Sequence, residues 1–262
     1  MPSSITCTAV LDVSRTTAEF LARLLQQHRE RLGTRNNTRA LGPFKQAVLI
    51  LRWFVDGTRV TQLARDNGVS APTSYRYLHE GLTVLADHAP DLATALERAV
   101  AAGYTHLNLD GTVIRTDRVA APGPNGTDLW WSGKHKHYGG NVQVISAPDG
   151  WPIWISPVRP GREHDTTRAH GLGIPTLTDL GYENTGGGFW HPVKKPRGSE
   201  PAEHGKAFNA VIRGVHVVAE RANALLKVTF KALRRVSLDP AAIARIARAA
   251  LVLLQLEHGR TT

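Results

Sequence analysis

The stretch "LNLDGTVIRT", residues 107–116, predicts a β-strand in which one acidic side chain interrupts an apolar alternation. Asp110 stands where the alternation calls for a core or surface residue, and a glycine follows it at once. Burying a carboxylate without a partner is costly. Asp110 is therefore either a structural acid with a satisfied carboxylate or the ligand of a cation.

The sequence after this strand predicts a mixed sheet. "YGGNVQVISAP" (138–148) and "GWPIWISPV" (150–158) predict two more strands, and Asp149-Gly150 predicts the hairpin between them. We then predict a short helix over 164–172, strands in 174–180 and 187–195, one long helix or two consecutive helices over 202–232, and a helix over 240–257. Three antiparallel strands followed by alternating helices and strands are the layout of a ribonuclease H-like domain, predicted here over residues 104–258. The fold class is thus α+β or α/β.

The first hundred residues show helical periodicity instead, and we predict a helical region over residues 1–95, which is a DNA-binding region if it contains a helix-turn-helix. Within it, residues 57–85 predict two short helices joined by a glycine turn, with Ser70 as the N-cap of the second. This pattern fits a helix-turn-helix, and it equally fits a plain helical hairpin. In the first case the second helix offers Ser74, Arg76 and Tyr77 to DNA. A separate apolar stripe is predicted from Phe44, Val48, Leu51 and Phe54.

Composition restricts the partners and the chemistry. Lys and Arg number 32 against 22 acidic residues, and the formal net charge of +10 suits a polyanion such as double-stranded DNA. A ribosomal or membrane-surface protein would share that charge. The sequence shows no membrane span and no secretory signal, so the expected location is cytoplasmic. A single cysteine, Cys7, excludes disulfides within the chain and zinc sites built from cysteines.

Three carboxylates on separate predicted elements form the candidate catalytic site. Asp110 lies on the first strand, Asp179 ends the fourth strand, and Glu220 lies inside the long helix. Oxygen ligands of this kind suit Mg²⁺ or Mn²⁺, and two such ions support phosphodiester cleavage. Asp165 competes with Asp179 for the second position. We favour Asp179, because the carboxyl edge of the sheet is where ligands gather, whereas Asp165 stands at a predicted helix start and suits an N-cap or a supporting position beside the metal ligands.

Several segments together resemble a known family. They are "LDGT" at Asp110, "WWSGKHKHYGGNVQVISAPDGWPIWIS" from Trp130, "PGREHD" ending at Asp165, "LTDLGY" around Asp179 and "AERANALLK" around Glu220. In this order they resemble the DDE transposases of bacterial insertion sequences and their Harbinger-type relatives. The resemblance implies that Asp110, Asp179 and Glu220 bind two divalent metal ions, that the enzyme hydrolyses transposon ends and joins them to target DNA, and that it acts as a homo-oligomer on paired ends.

Basic residues near the predicted site are candidates for phosphate contacts. Lys134 and Lys136 form a cluster before the second strand. If residues 220–231 are helical, Lys227 and Lys231 share one side of the helix and line a phosphate track leading from Glu220. A solvated helix face is the alternative for each lysine.

Two other functions remain open at this point. The chain is compatible with a DNA-binding regulator derived from a transposase whose acidic triad no longer acts. It is also compatible with a ribonuclease H-like nuclease that cleaves without strand transfer.

Overall fold

Five helices form the N-terminal part of the protein in the computed structural model, which describes residues 10–123, 126, 128–160, 174–178, 189–193 and 203–262, without the side chains of 215 and 216. The helices are α1 (Arg15–Arg31), α2 (Pro43–Asp56), α3 (Val60–Asp66), α4 (Ala71–Ala86) and α5 (Leu92–Ala101). Ser14, Ser70 and Asp91 start α1, α4 and α5, because each side chain accepts a hydrogen bond from a backbone N–H in the first turn. The predicted N-cap at Ser70 is thus confirmed.

The helix pair predicted over residues 57–85 is present as α3 and α4. Gly68 supplies the turn between them with a φ of +63°, a conformation that favours glycine. On α4, Gly81 lies where a Cβ would fall 2.1 Å from Cδ1 of Ile50, so the absent side chain lets α2 and α4 approach closely. The apolar stripe predicted on α2 is partly wrong, because Phe44 is 45% exposed whereas Phe54 is fully buried.

The described strands form one mixed sheet. They are β1 (Leu107–Arg115), β2 (Trp131–Ser132), β3 (His137–Ser146), β4 (Pro152–Ile155), β5 (Arg159–Pro160), β6 (Thr176–Leu177) and β7 (Phe189–Trp190). The order is β2-β3-β1-β6-β7, with β4 and β5 also paired to β3. β3 is antiparallel to β1, whereas β6 is parallel to both β1 and β7. This mixed sheet is compatible with the expected ribonuclease H-like domain.

The hairpin predicted at Asp149-Gly150 is confirmed, and it touches a helix. Gly150 has a φ of +85°, and the Asp149 carboxylate accepts a hydrogen bond from the N–H of Trp151. A Cβ at Gly150 would lie 2.6 Å from the carbonyl oxygen of Val218, which belongs to α6 (Glu203–Thr229). Only a glycine therefore lets this turn lie against the helix backbone two residues before Glu220.

The segment predicted as one long helix or two consecutive helices consists of α6 and a short 3₁₀-helix. The helix stops at Thr229, and Phe230 adopts an extended conformation before a short 3₁₀-helix at Lys231–Leu233. Phe230 is buried and packs edge to face against Phe54 of α2, with 5.7 Å between the ring centroids. The helix ends here because the extended backbone of Phe230 places its phenyl ring in the core. The predicted helix over 164–172 lies outside the described residues.

A single hydrophobic core joins the N-terminal helices to the sheet. The last helix, α7 (Ile243–Glu257), packs against α4, α1 and β4, and one buried cluster runs from Leu21 of α1 through Leu109 of β1 to Leu251 of α7. The carboxylate of Glu257 accepts hydrogen bonds from the backbone N–H and Oγ of Ser14 (2.9 and 3.0 Å). The core is thus continuous across the boundary predicted between residues 95 and 104. The division itself stays a prediction.

We expect the Phe54→Ala variant to lower the free energy of unfolding by about 3–5 kcal/mol, since the lost ring leaves a cavity between α2 and Phe230. Urea denaturation, followed by tryptophan fluorescence and circular dichroism, measures the change. Phe44→Ala on the same helix is the matched control and is expected to cost less than about 1 kcal/mol. Two separate transitions, of which Phe54→Ala moves only one, would contradict the shared core.

Candidate active site

Asp110 lies in the middle of the sheet, on the strand between β3 and β6. It is half-buried on β1 and stands opposite Val144 of β3. On the other side, β6 pairs in parallel with the start of β1, and Leu177 stands opposite Asn108. Two strands therefore fix the backbone that carries the carboxylate.

The side chain of Asn223 reaches this carboxylate from α6. Its Nδ2 donates a hydrogen bond of 2.8 Å to Oδ2 of Asp110, and the residue is only 8% exposed. Its Oδ1 is buried and has no hydrogen-bond partner. Our sequence reasoning missed Asn223, although it follows Glu220 by three residues, a spacing that places both on one side of a helix.

Lys227 anchors the same helix to the same strand one turn later. Its Nζ donates hydrogen bonds to Oγ1 of Thr112 (2.6 Å) and to the carbonyl oxygen of Val113 (3.2 Å). Burial lowers the pKa of the Lys227 ammonium below its ordinary value, and the charge of Asp110 opposes that shift. The ammonium is thus engaged with β1 in this structure, and its contact with a DNA phosphate stays a prediction.

Of the two other acids of the predicted triad, the structure describes only Glu220. Glu220 is exposed on α6, one turn before Asn223. Asp179 and the competing Asp165 lie outside the described residues. Within the described ranges, no three His, Cys, Asp or Glu side chains gather in a group that could hold a metal ion. The structure therefore brings α6 to Asp110 without testing the complete triad.

Lys231 does not share a side with Lys227, contrary to the phosphate track expected from a continuous helix. It is exposed in the 3₁₀-helix that follows the extended Phe230. Because the helix is broken between the two lysines, the four-residue spacing no longer aligns them. The condition of one helix over 220–231 is thus not met, and phosphate contacts by Lys227 and Lys231 stay predictions.

Lys134 and Lys136 lie at the exposed tip of the hairpin between β2 and β3. The turn closes with a hydrogen bond of 2.8 Å from the N–H of Lys136 to the carbonyl of Ser132, and Lys136 has a φ of +55°. Burial lowers the pKa of His135 at this tip, and the charges of Lys134, His137 and Lys227 act in the same direction. The tip is thus close enough to Lys227 for their charges to interact.

The candidate DNA contacts on α4 divide into one exposed and two buried residues. Arg76 is exposed, and its guanidinium donates to Oγ1 of Thr73. Ser74 is fully buried, and Tyr77 is 5% exposed with its hydroxyl accepting a hydrogen bond from the N–H of Leu41. Ser74 and Tyr77 therefore face the core in this structure, and Arg76 is the exposed one of the three.

One family model, described as DDE superfamily endonuclease, matches residues 109–255. The match covers more than half of the 262 residues and includes Asp110, Asp179 and Glu220. The chain belongs to this family. Membership in the DDE endonucleases supports a nuclease activity and implies a DNA substrate.

No match to the chain was found among curated proteins or among solved structures. Among the helices of the described ranges, none combines the length and the apolar character that a membrane crossing requires.

We expect Lys227→Met to lower the free energy of unfolding by about 1–3 kcal/mol, because two acceptors on β1 lose their donor. Lys231→Met is the control: this lysine is exposed, and its loss is expected to change stability by less than about 0.5 kcal/mol. Urea midpoints of the two variants measure the difference. Equal midpoints would contradict the anchoring role of Lys227.

Proposed function

We propose that this DDE endonuclease is a DNA transposase that cuts transposon ends and joins them to target DNA. The observation that carries the proposal is the approach of α6 to Asp110, through the 2.8 Å hydrogen bond from Asn223, in a chain whose family match includes all three proposed acids. Glu220 precedes Asn223 by about one helical turn, so it lies next to the segment of α6 that binds Asp110.

The pairing of β1 with β6 supports Asp179 as the second acid. Asn108 stands opposite Leu177 in a parallel ladder. Asp110 follows Asn108 by two residues, and Asp179 follows Leu177 by two. Side chains two residues apart along a strand share a face, so we propose that the ladder continues and that the two carboxylates lie side by side. Asp165 is proposed as a supporting residue next to the metal ligands.

The donor chemistry of the described residues fits a hard divalent cation. Asp110 supplies a carboxylate, and Asn223 donates a hydrogen bond to it. The Oδ1 atom of the same Asn223 amide is a second oxygen, and it is buried without a hydrogen-bond partner. We propose Asp110, Asp179 and Glu220 as the ligands of two Mg²⁺ or Mn²⁺ ions. When bound, such ions activate the attacking oxygen and stabilise the leaving oxygen.

The proposed reaction has two displacements at phosphorus. In the first, a water oxygen bonds to phosphorus at the transposon end, and the bond to the 3′ oxygen breaks, leaving a 3′-hydroxyl. In the second, that 3′-hydroxyl oxygen bonds to a phosphorus of the target, and a target 3′ oxygen leaves. The three carboxylates hold the cations, and the surrounding basic residues bind the DNA strands.

We propose that DNA is held by two exposed basic regions, one on α4 and one at the β2–β3 hairpin tip. Arg76 on α4, in a helix-turn-helix formed by α3 and α4, would contact the transposon end. Lys134 and Lys136 at the tip would contact phosphates near the cleavage site. Action on paired ends implies that two or more copies of the chain assemble on DNA.

Asp110→Asn and Glu220→Gln are each expected to lower Mn²⁺-dependent cleavage at least about 100-fold while DNA affinity changes less than about threefold, because each loses an anionic ligand but keeps its shape. Cleavage and joining of labelled transposon ends measure the activity. Asp179→Asn should have the same effect, and Asp165→Asn should lower activity only partly. The reverse ranking of the two folded aspartate variants would contradict the choice of Asp179. Wild-type cleavage without joining would identify a nuclease instead of a transposase.

Arg76→Ala, made in the full-length chain, is expected to weaken binding to the transposon end and to reduce the slope of log affinity against log salt by about 1, since about one phosphate contact is lost. The double variant Lys134→Ala/Lys136→Ala should reduce the slope by about 2. Arg15→Ala is the control, because Arg15 is exposed on α1 and paired with Glu19. A slope unchanged in all three variants would contradict both proposed DNA contacts.

A further inference from the structure

We propose that Asn223 is a positioning residue that fixes the carboxylate of Asp110 for cation binding, an inference that rests on the proposed cation site at Asp110. Asn223 is a neutral residue outside the acidic triad. Its role would be to set the orientation of Asp110 and the placement of α6 against β1.

The orientation of the Asn223 amide is determined by its neighbour. A carboxylate oxygen accepts hydrogen bonds, so only the NH₂ group of the amide can face Oδ2 of Asp110. The 2.8 Å distance is that of a good hydrogen bond to a charged acceptor. The hydrogen bond thus restricts rotation of the Asp110 side chain.

The opposite end of the same amide indicates a polar site. With Nδ2 bound to Asp110, Oδ1 is left buried without a hydrogen-bond partner. A buried acceptor in that state carries a desolvation cost that no hydrogen bond offsets. An apolar side chain of similar size would avoid this cost, so the amide is better explained by its action on Asp110 than by packing.

The position of Asn223 along α6 also couples the two proposed ligands. Glu220 lies three residues before Asn223, and Lys227 lies four residues after it. Asn223 binds β1 at Asp110, and Lys227 binds β1 at Thr112 and Val113. A slide of the helix by one residue, about 1.5 Å, would break both attachments. The attachments of Asn223 and Lys227 therefore fix the position of Glu220 along the helix axis relative to Asp110.

Asn209 provides a matched control on the same helix. It is 9% exposed, against 8% for Asn223, and its amide binds the backbone N–H and carbonyl of Val193 (2.7 and 2.9 Å). Replacing Asn209 by Ala therefore removes a similarly buried amide that binds the backbone of Val193 instead of the Asp110 carboxylate. Differences between the two variants in cation binding report on Asp110.

The test measures Mn²⁺ binding to the full-length protein by the electron paramagnetic resonance signal of free Mn²⁺, with Asp110→Asn to identify binding at this site. Asn223→Ala is expected to weaken that binding about 10-fold or more, as supporting residues of metal sites usually do, and Asn209→Ala to change it less than about twofold. In cleavage assays, Asn223→Ala should need more Mn²⁺ and approach the wild-type rate at saturation, whereas a general loss of structure would lower the rate at every concentration.

Asn223→Ser is the second variant if Asn223→Ala does not fold, because its hydroxyl stays polar but is too short to reach Asp110. Unchanged Mn²⁺ affinity in the folded Asn223 variant, or equal weakening in the Asn223 and Asn209 variants, would overturn the inference. Mn²⁺ binding that Asp110→Asn leaves unchanged would overturn it as well. If wild-type protein binds Mn²⁺ through Asp110 but cuts no DNA, the proposed function fails, and weaker binding by the Asn223 variant still supports the positioning role.

Discussion

Two polar side chains of α6 attach this helix to β1, and the candidate site depends on their attachment. Asn223 binds Asp110 and Lys227 binds Thr112 and the Val113 carbonyl. Both side chains are substantially buried, and a buried polar group is tolerated only when it is hydrogen-bonded. The helix therefore has one favourable placement on the strand, unlike a purely apolar contact, which is non-directional.

The sequence predicted the elements whose signals are local and missed those set by distant contacts. The strand at Asp110, the turn at Asp149-Gly150 and the cap at Ser70 each depend on a few adjacent residues, and all three are present. The end of α6 is different, because Phe230 leaves the helix to pack on Phe54, which lies far away in the chain. No periodicity within α6 contains that information.

The site itself was predictable in part. Asp110 and Glu220 were predicted because a charged residue in an apolar segment indicates a functional site. Asn223 was missed because its amide is neutral and gives no such signal. Burial of Ser74 could have been predicted, since it precedes Leu78 and Leu82 by four and eight residues and so shares their apolar face.

The net charge of the chain also overstates how many basic side chains are available to bind DNA. Several arginines are engaged within the fold, namely Arg29 with Gln46, Arg234 with the end of α6, Arg235 with Asp117 and Arg260 with Asp149.

The contact between Glu257 and Ser14 has a consequence for how the chain matures during translation. The two residues are separated by 243 positions, and α7 also supplies the surface on which α4 packs. At about 5–20 residues per second, the ribosome needs roughly 10–50 s to reach the second partner after making the first. During that interval, the apolar faces of α1 and α4 that pack against α7 stay exposed. Nascent chains of this protein are therefore expected to need chaperone protection until α7 emerges.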